Sequence, residues 1–354
     1  DFLNLFLNSY SYWSQIFIMK KGSAQPNVNA KKLRELQMPF CEKEYQEEIL
    51  DLLKDGNRNN RFKELNEEID NTIKNYDYAQ KILEIYKKQY VIIDNLRSAI
   101  LNEAIQGKLV PQDPNDEPAS ELLKRIKAEK EQLIAEKKIK KDKPLSEITD
   151  DEIPYELPSG WEWCRLINIC NLITDGTHHT PTYQSFGVPF LSVKDISKGQ
   201  IDFSNTRYIS ETEHDNLIQR CNPEFEDVLL TKVGTTGIAK VIDIKKTFSI
   251  FVSVALLKFN KTNIFPYYLE YLLNSPLVKI QSKEGTRGVG NKNLVLRKIK
   301  AFIVPIPPIS EQKRIVAKVD ELMTLCDQLE TQIQESKENA DLLMQSVLQE
   351  AFAA

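Results

Sequence analysis

Four short stretches concentrate glycine with hydroxyl, amide, imidazole and cationic side chains. They are Thr174-Asp175-Gly176-Thr177-His178-His179-Thr180-Pro181, Lys194-Asp195, Lys232-Val233-Gly234-Thr235-Thr236-Gly237, and Gly285-Thr286-Arg287-Gly288-Val289-Gly290-Asn291-Lys292-Asn293. Lys240 follows the third, in a G-x-x-G-x-x-K spacing that starts at Gly234. Glycine lets backbone come close to a phosphate or a base edge, and the neighbouring groups here can bond to either. Arginine pairs bidentately with guanine and asparagine with adenine, so Arg287, Asn291 and Asn293 suit the major groove. Taken singly, each stretch reads as an ordinary turn. Several of them on one basic domain point to nucleic acid.

Catalytic motifs do not emerge. There is no GxxxxGK[ST] phosphate loop. Asn222-Pro223-Glu224-Phe225 has Glu where an adenine methyltransferase motif needs a second Pro. His178, His179 and His214 lack partners at metal-ligand spacing, so no metal site is expected. Asp175 beside two histidines admits acid–base work, but a polar surface loop is the plainer reading. Asp116 to Lys124 has the wrong acid–lysine spacing for a nuclease and falls in a connector.

The loops interrupt short β-like runs over 187–193, 227–231, 239–242 and 248–257, entered through the turn Leu157-Pro158-Ser159-Gly160. A helix is predicted over 265–279, another over 294–300, and a closing strand at Phe302-Ile303-Val304. Strands with a few helices in irregular order predict a small α+β domain over 157–309.

Two long amphipathic helices flank this domain. From Arg61 to Ala104 apolar residues recur at steps of three and four, among them Leu65, Ile69, Ile73, Leu83, Tyr90, Ile93, Leu96 and Ile100. The mean step of about 3.5 is the coiled-coil period. Ile315, Val319, Leu322, Leu329, Ile333, Leu343 and Val347 carry a second such seam. So narrow a stripe needs a partner helix, and each can supply the other's. At 1.5 Å per residue each runs roughly 55–65 Å, a rigid spacer.

The net charge of −4 hides a split. Residues 158–309 carry 18 Lys and Arg against 13 Asp and Glu, or +5, which leaves −9 on the rest. The compact part is basic and the helices acidic. Five scattered cysteines without CxxC spacing suit a reduced, cytoplasmic chain. No apolar run reaches the ~18 residues of a membrane span.

The chain also repeats itself. Phe2-Leu3-Asn4-Leu5-Phe6-Leu7-Asn8-Ser9 matches Tyr268-Leu269-Glu270-Tyr271-Leu272-Leu273-Asn274-Ser275. Gly22-Ser23 matches Gly285-Thr286, Leu33 to Leu36 matches Leu296 to Ile299, Pro39 matches Pro305, and Gln46 matches Gln312. Each copy is the end of a globular domain running into a long helix, so the chain is expected to be a fragment lacking most of its first domain. The segments expected are a first-domain remnant (1–42), a helical region (43–106) broken near Gly56 to Asn60, a connector with a short helix from Ser120 (107–156), the second domain (157–309) and a second helical region (310–354).

Four stretches carry a resemblance. They are Gly107-Lys108-Leu109-Val110-Pro111-Gln112-Asp113-Pro114-Asn115-Asp116-Glu117-Pro118-Ala119, Glu156-Leu157-Pro158-Ser159-Gly160-Trp161, Asp227-Val228-Leu229-Leu230-Thr231 with Gly234 and Gly237, and Pro307-Pro308-Ile309-Ser310-Glu311-Gln312-Lys313-Arg314-Ile315. With the tandem plan, they resemble the specificity (S) subunits of Type I restriction–modification systems. The resemblance implies that 157–309 is a target recognition domain reading half of a bipartite double-stranded DNA site. It implies that the helices pack antiparallel, set the gap between half-sites and dock methyltransferase (M) and restriction (R) subunits. S-adenosylmethionine, ATP and Mg²⁺ would then belong to partner chains, and this bacterial chain would bind no cofactor and catalyse nothing. A structural coiled-coil adaptor whose domain binds protein is the alternative. A nuclease or methyltransferase in its own right is a third reading.

Overall fold

The structure, a computed structural model, describes residues 1–19, 30–54, 63–288 and 292–352. It divides into Asp1–Glu84 with Asn339–Ala354, and Ile85–Glu338.

The first unit holds helices α1 (Phe2–Leu7), α2 (Tyr10–Met19), α3 (Ala30–Leu33), α4 (Lys43–Lys54) and the start of α5 (Lys63–Ile105). The break expected near Gly56 to Asn60 lies outside the described residues, as do Gly22 and Ser23. Side-chain bonds reproduce the internal repeat. The Gln15 side chain makes two bonds to the Gln37 backbone across 22 residues, donating from Nε2 to the carbonyl and accepting the N–H at Oε1. Gln281 and Ile303 exchange the same two across 22 residues. Ser9 Oγ donates to the Phe6 carbonyl as Ser275 Oγ does to Leu272. Gln46 donates to Cys41 as Gln312 does to Pro307. These pairs share one displacement, 266 residues from Gln15 to Gln281. It keeps Phe2 on Tyr268 and Pro39 on Pro305 but moves Leu33 onto Ile299 rather than Leu296.

The second unit continues through α6 (Ala119–Ala135), β1 (Glu162–Arg165), α7 (Leu166–Ile169), β2 (Leu172–Asp175), β3 (Val188–Leu191), β4 (Arg207–Ile209) and α8 (Glu211–Ile218). Then come β5 (Val228–Thr231), β6 (Ala239–Val241), β7 (Ser249–Ile250), β8 (Val254–Lys258), α9 (Pro266–Asn274) and α10 (Pro276–Gly285). The hairpin β9 (Thr286–Arg287) and β10 (Asn293–Leu294), then α11 (Leu296–Lys300), β11 (Ile303–Ile306) and α12 (Ile309–Phe352) as far as Glu338 complete it. The fold is α+β, with two long helices attached.

The central antiparallel sheet runs β2-β8-β5-β6, and β3 pairs antiparallel with β4 and parallel with β7. Both faces of the central sheet are buried. Val228, Leu230, Ala255 and Leu257 pack into the cluster shared with α5, α6 and α9, while Leu229, Val254 and Leu256 pack with Leu191, Phe248 and Ile250. That is why these strands read as unbroken apolar runs. The run predicted over 248–257 is two strands, parted at Phe251–Ser253. The helix predicted over 265–279 is also two. Pro276 has no N–H to continue the ladder and holds Ser275 extended at φ −69°, ψ 158°.

Within this unit α5 and α12 run antiparallel: Tyr90 Oη donates to Gln334 Oε1, and Arg97 Nη2 meets Asp327 Oδ1 and Glu330 Oε2, each at 2.6 Å. Ile93, Ile100, Ile315 and Val319 are buried; Leu322 and Ile333 pack partly buried against the same core. Leu83, in the first unit, is half-buried. Two seam assignments are corrected, because Leu96 is 41 % and Leu329 44 % exposed. The seam steps through the next residue on each helix, Arg97 and Glu330, and a cross-helix ion pair replaces an apolar contact. Leu65, Ile69, Ile73, Leu343 and Val347 are in helical backbone, their side chains outside the described set.

The sequence signatures meet one another. Gln112 Nε2 donates to the Gly107 carbonyl and to Glu311 Oε1, Trp161 Nε1 donates to Glu311 Oε2, and Arg314 bonds Asp116 at 2.7 Å. Asp116 is therefore a structural acid. Burial pushes the Glu311 carboxyl up, and the bonds from Gln112 and Trp161 oppose that shift.

Candidate nucleic-acid interface

In antiparallel register, the C-terminal ends of β2 and β5 flank the start of β8: Asp175 lies opposite Ala255 and Thr231 opposite Val254. The segments after β2 and after β5, and the one before β8, therefore emerge at the same edge. Ser253 joins them, its carbonyl accepting from Lys232 N–H at 2.9 Å and its Oγ from Val193 N–H at 3.0 Å. The Lys194 turn is thereby pinned to the Lys232 loop. The β9–β10 hairpin closes the group through the Gly234 N–H to the Lys292 carbonyl (2.9 Å), the Leu294 N–H to the Lys232 carbonyl (2.7 Å), and Thr236 Oγ1 to Thr286 Oγ1 (3.2 Å). The four stretches singled out in the sequence converge on one edge of the domain.

Their residues divide into a floor and a surface. Thr174, Asp175, Gly176, Thr177 and Lys232 are buried. Lys232 Nζ pairs with Asp175 Oδ2 at 3.2 Å and donates to the Val252 carbonyl. These two groups brace the loops from below. Gly176 is required by close approach, since a Cβ there would lie 1.9 Å from the Ile250 carbonyl oxygen. His178, His179, Lys194, Gly234, Thr235, Arg287, Gly288, Lys292 and Asn293 are exposed, and Thr236 and Thr286 half-buried. Asn291 lies outside the described residues.

Lys240 is corrected: it does not join the loop edge. It lies mid-strand on β6 opposite Leu229, and its ammonium pairs with Glu270 at 3.2 Å and Asp243 at 3.8 Å. Glu270 also accepts the Val241 N–H at 2.6 Å. Burial pushes its carboxyl up, opposed by that N–H and by Lys240. The charge of Lys240 thus serves a buried carboxylate.

Arg220 was missed by sequence reasoning. It follows α8 and bonds Asp175 Oδ1 at 2.6 Å, while its side chain stays 55 % exposed. No motif surrounds it, so only the fold brings it to the loops. His178 Nε2 shares Asp175 Oδ1 at 3.2 Å. Among the described residues no cluster of three or more His, Cys, Asp and Glu is placed to hold a metal ion, and no helix is long and apolar enough to cross a membrane.

The family model described as the Type I restriction modification DNA specificity domain matches residues 158–338. The chain is 36 % identical over 254 residues to the Type I restriction enzyme EcoAI specificity subunit of Escherichia coli, covering 70 % of this chain and 42 % of that one. It is 30 % identical over 277 residues to the EcoEI specificity subunit of Escherichia coli, covering 72 % and 45 %. The chain thus spans less than half the length of these relatives. Among solved structures, the HsdS subunit from Thermoanaerobacter tengcongensis aligns at 18 % identity and a TM-score of 0.45, over 99 % of this chain and 69 % of that one.

Proposed function

Since the chain belongs to the Type I restriction modification DNA specificity domain family, we propose that it is a non-catalytic reader of one half of a bipartite DNA target. The observation that carries this is the convergence of four polar loops over the buried Asp175–Lys232 pair, on the domain with a net +5 charge. Lys194, Lys292 and Arg220 supply phosphate contacts that hold register. Exposed groups such as Asn293, Thr235 and His178 face base edges, where sequence is read. The alternative, a protein-binding adaptor, does not call for surplus positive charge beside hydroxyl and amide groups.

In this proposal the α5–α12 pair fixes the distance to a second half-site, as dimer geometry does in other readers. It also docks M and R subunits. In its support, Ile85, Ile92 and Leu96 form an exposed apolar stripe on α5, with Leu325 and Leu329 exposed on α12. Apolar residues repeating on the face turned from a mutual seam fit a further helix. S-adenosylmethionine, ATP and Mg²⁺ then belong to those partners.

Methylation-sensitive sequencing of the host genome, with and without the gene, tests the reading. A motif lost with the gene is expected; an unchanged methylome rejects it. Asn293→Ala is expected to relax the motif at one position, a base contact being worth about 1–3 kcal/mol.

A further inference from the structure

We propose that Arg287, Arg297 and Lys298 form a cradle for a DNA backbone phosphate at the flank of the loop edge, so that Arg287 positions the duplex rather than reading a base. This rests on the duplex-reading role proposed above. The three side chains line one cavity of about 460 Å³, with Arg165, Glu152 and Val295 also on its wall. Two elements contribute: Arg287 ends β9, while Arg297 and Lys298 lie on α11. Gly285 brings them together, because a Cβ there would come within 2.9 Å of Leu294 and 3.3 Å of Lys298.

Pairing distinguishes these cations. Arg165 is fully engaged with Glu152, Ser146 and the Ala301 carbonyl. Lys300, on the same short helix, bonds Asp142. Among the described residues the side chains of Arg287, Arg297 and Lys298 have no hydrogen-bond or ion-pair partner, and all three are exposed. The acid at the cavity, Glu152, is held below its usual range by the Thr149 N–H and by Arg165, and so is already committed. Three like charges around one concavity repel each other and raise its potential, which an entering anion relieves. Each base pair presents an amino donor beside its acceptors in the major groove, whereas a phosphate offers acceptors only. Three unpaired cationic donors on this wall, with its one carboxylate held by Arg165, match the phosphate.

The test uses the full chain and two labelled duplexes of equal length, one containing the genomic methylation motif and one unrelated. Affinity is measured across salt concentrations for the wild type and for Arg287→Gln, Arg297→Gln, Lys298→Gln and the triple variant, with thermal unfolding to verify folding. Each variant is expected to weaken binding to both duplexes by the same factor. The plot of log affinity against log salt should flatten by about 0.9 per contact removed, with the motif unchanged in cells. If the wild type shows steep salt dependence and the triple variant keeps that slope, the cradle is overturned while the duplex-reading role stands. If Arg287→Gln relaxes one position of the motif, Arg287 reads a base and the assignment fails. A wild type that binds neither duplex would overturn the underlying reading as well.

Discussion

At one end of β5 the fully buried Asp227 takes two ammonium groups, Lys258 at 2.6 Å and Lys261 at 2.7 Å, and Lys258 also bonds Glu224 at 2.7 Å. At the other end Lys232 and Asp175 are both buried and pair with each other, while Arg220 and His178 reach the same carboxylate from the surface. The first end is balanced, two acids against two cations. The second carries one acid against two permanent cations and a histidine. One strand therefore has a closed end and an end with unspent positive charge, and the four loops gather at the latter. Buried ion pairs act here as braces; in the proposed function it is the charge left over above them that meets DNA.

Breaking each end tests this contrast. Asp175→Ala is expected to have the largest effect, because Lys232 would be left buried with little beyond the Val252 carbonyl. Removing one partner of such a pair costs about 3–5 kcal/mol, read as a lowered urea midpoint. Asp175→Leu with Lys232→Met together should recover much of that loss. Equal stability of Asp175→Ala and wild type would show that the pair braces nothing. Asp227→Asn should cost less, about 1.5–3 kcal/mol, since Lys258 and Lys261 are partly exposed and can return to water. It should leave the methylation motif intact, and a changed motif would show that the two ends are not independent.

The smallest effect is a pH dependence at the closed end. The Lys258 hydrogen bond, with the nearby lysine charges, holds the Glu224 carboxyl below its ordinary value of 4.5. A depressed folded value means the contribution is complete above the ordinary glutamate range and is lost as pH falls through the lower folded one. Unfolding temperature should therefore drop more steeply with acid in the wild type than in Glu224→Gln. Parallel curves would remove Glu224 from the balance.

Much of this was legible in residue order. The strands over 228–231 and 239–241 came from apolar runs, the helix pair from its period, and the repeat from matching octapeptides; the loop stretches were visible through glycine beside polar side chains. Burial was not legible. Asp175 and Lys232 have the same side-chain types as surface charges, and 57 residues separate them. Leu96 and Leu329 fit a step of three, yet a step of four brings Arg97 and Glu330 into the seam. Both steps are helical, so only the facing helix chooses between them.

The sequence by itself determined the long helices, the apolar strands, the internal repeat and the family, because these depend on local periodicity and on contiguous signatures. Tertiary structure decided which charges are neutralised and which stay free. Lys232, Lys240 and Arg287 all looked like nucleic-acid contacts, and two of them turned out to pair with buried carboxylates. The energy of a charge depends on its depth from water and on the nearest opposite charge. Both are properties of residues far apart in the chain.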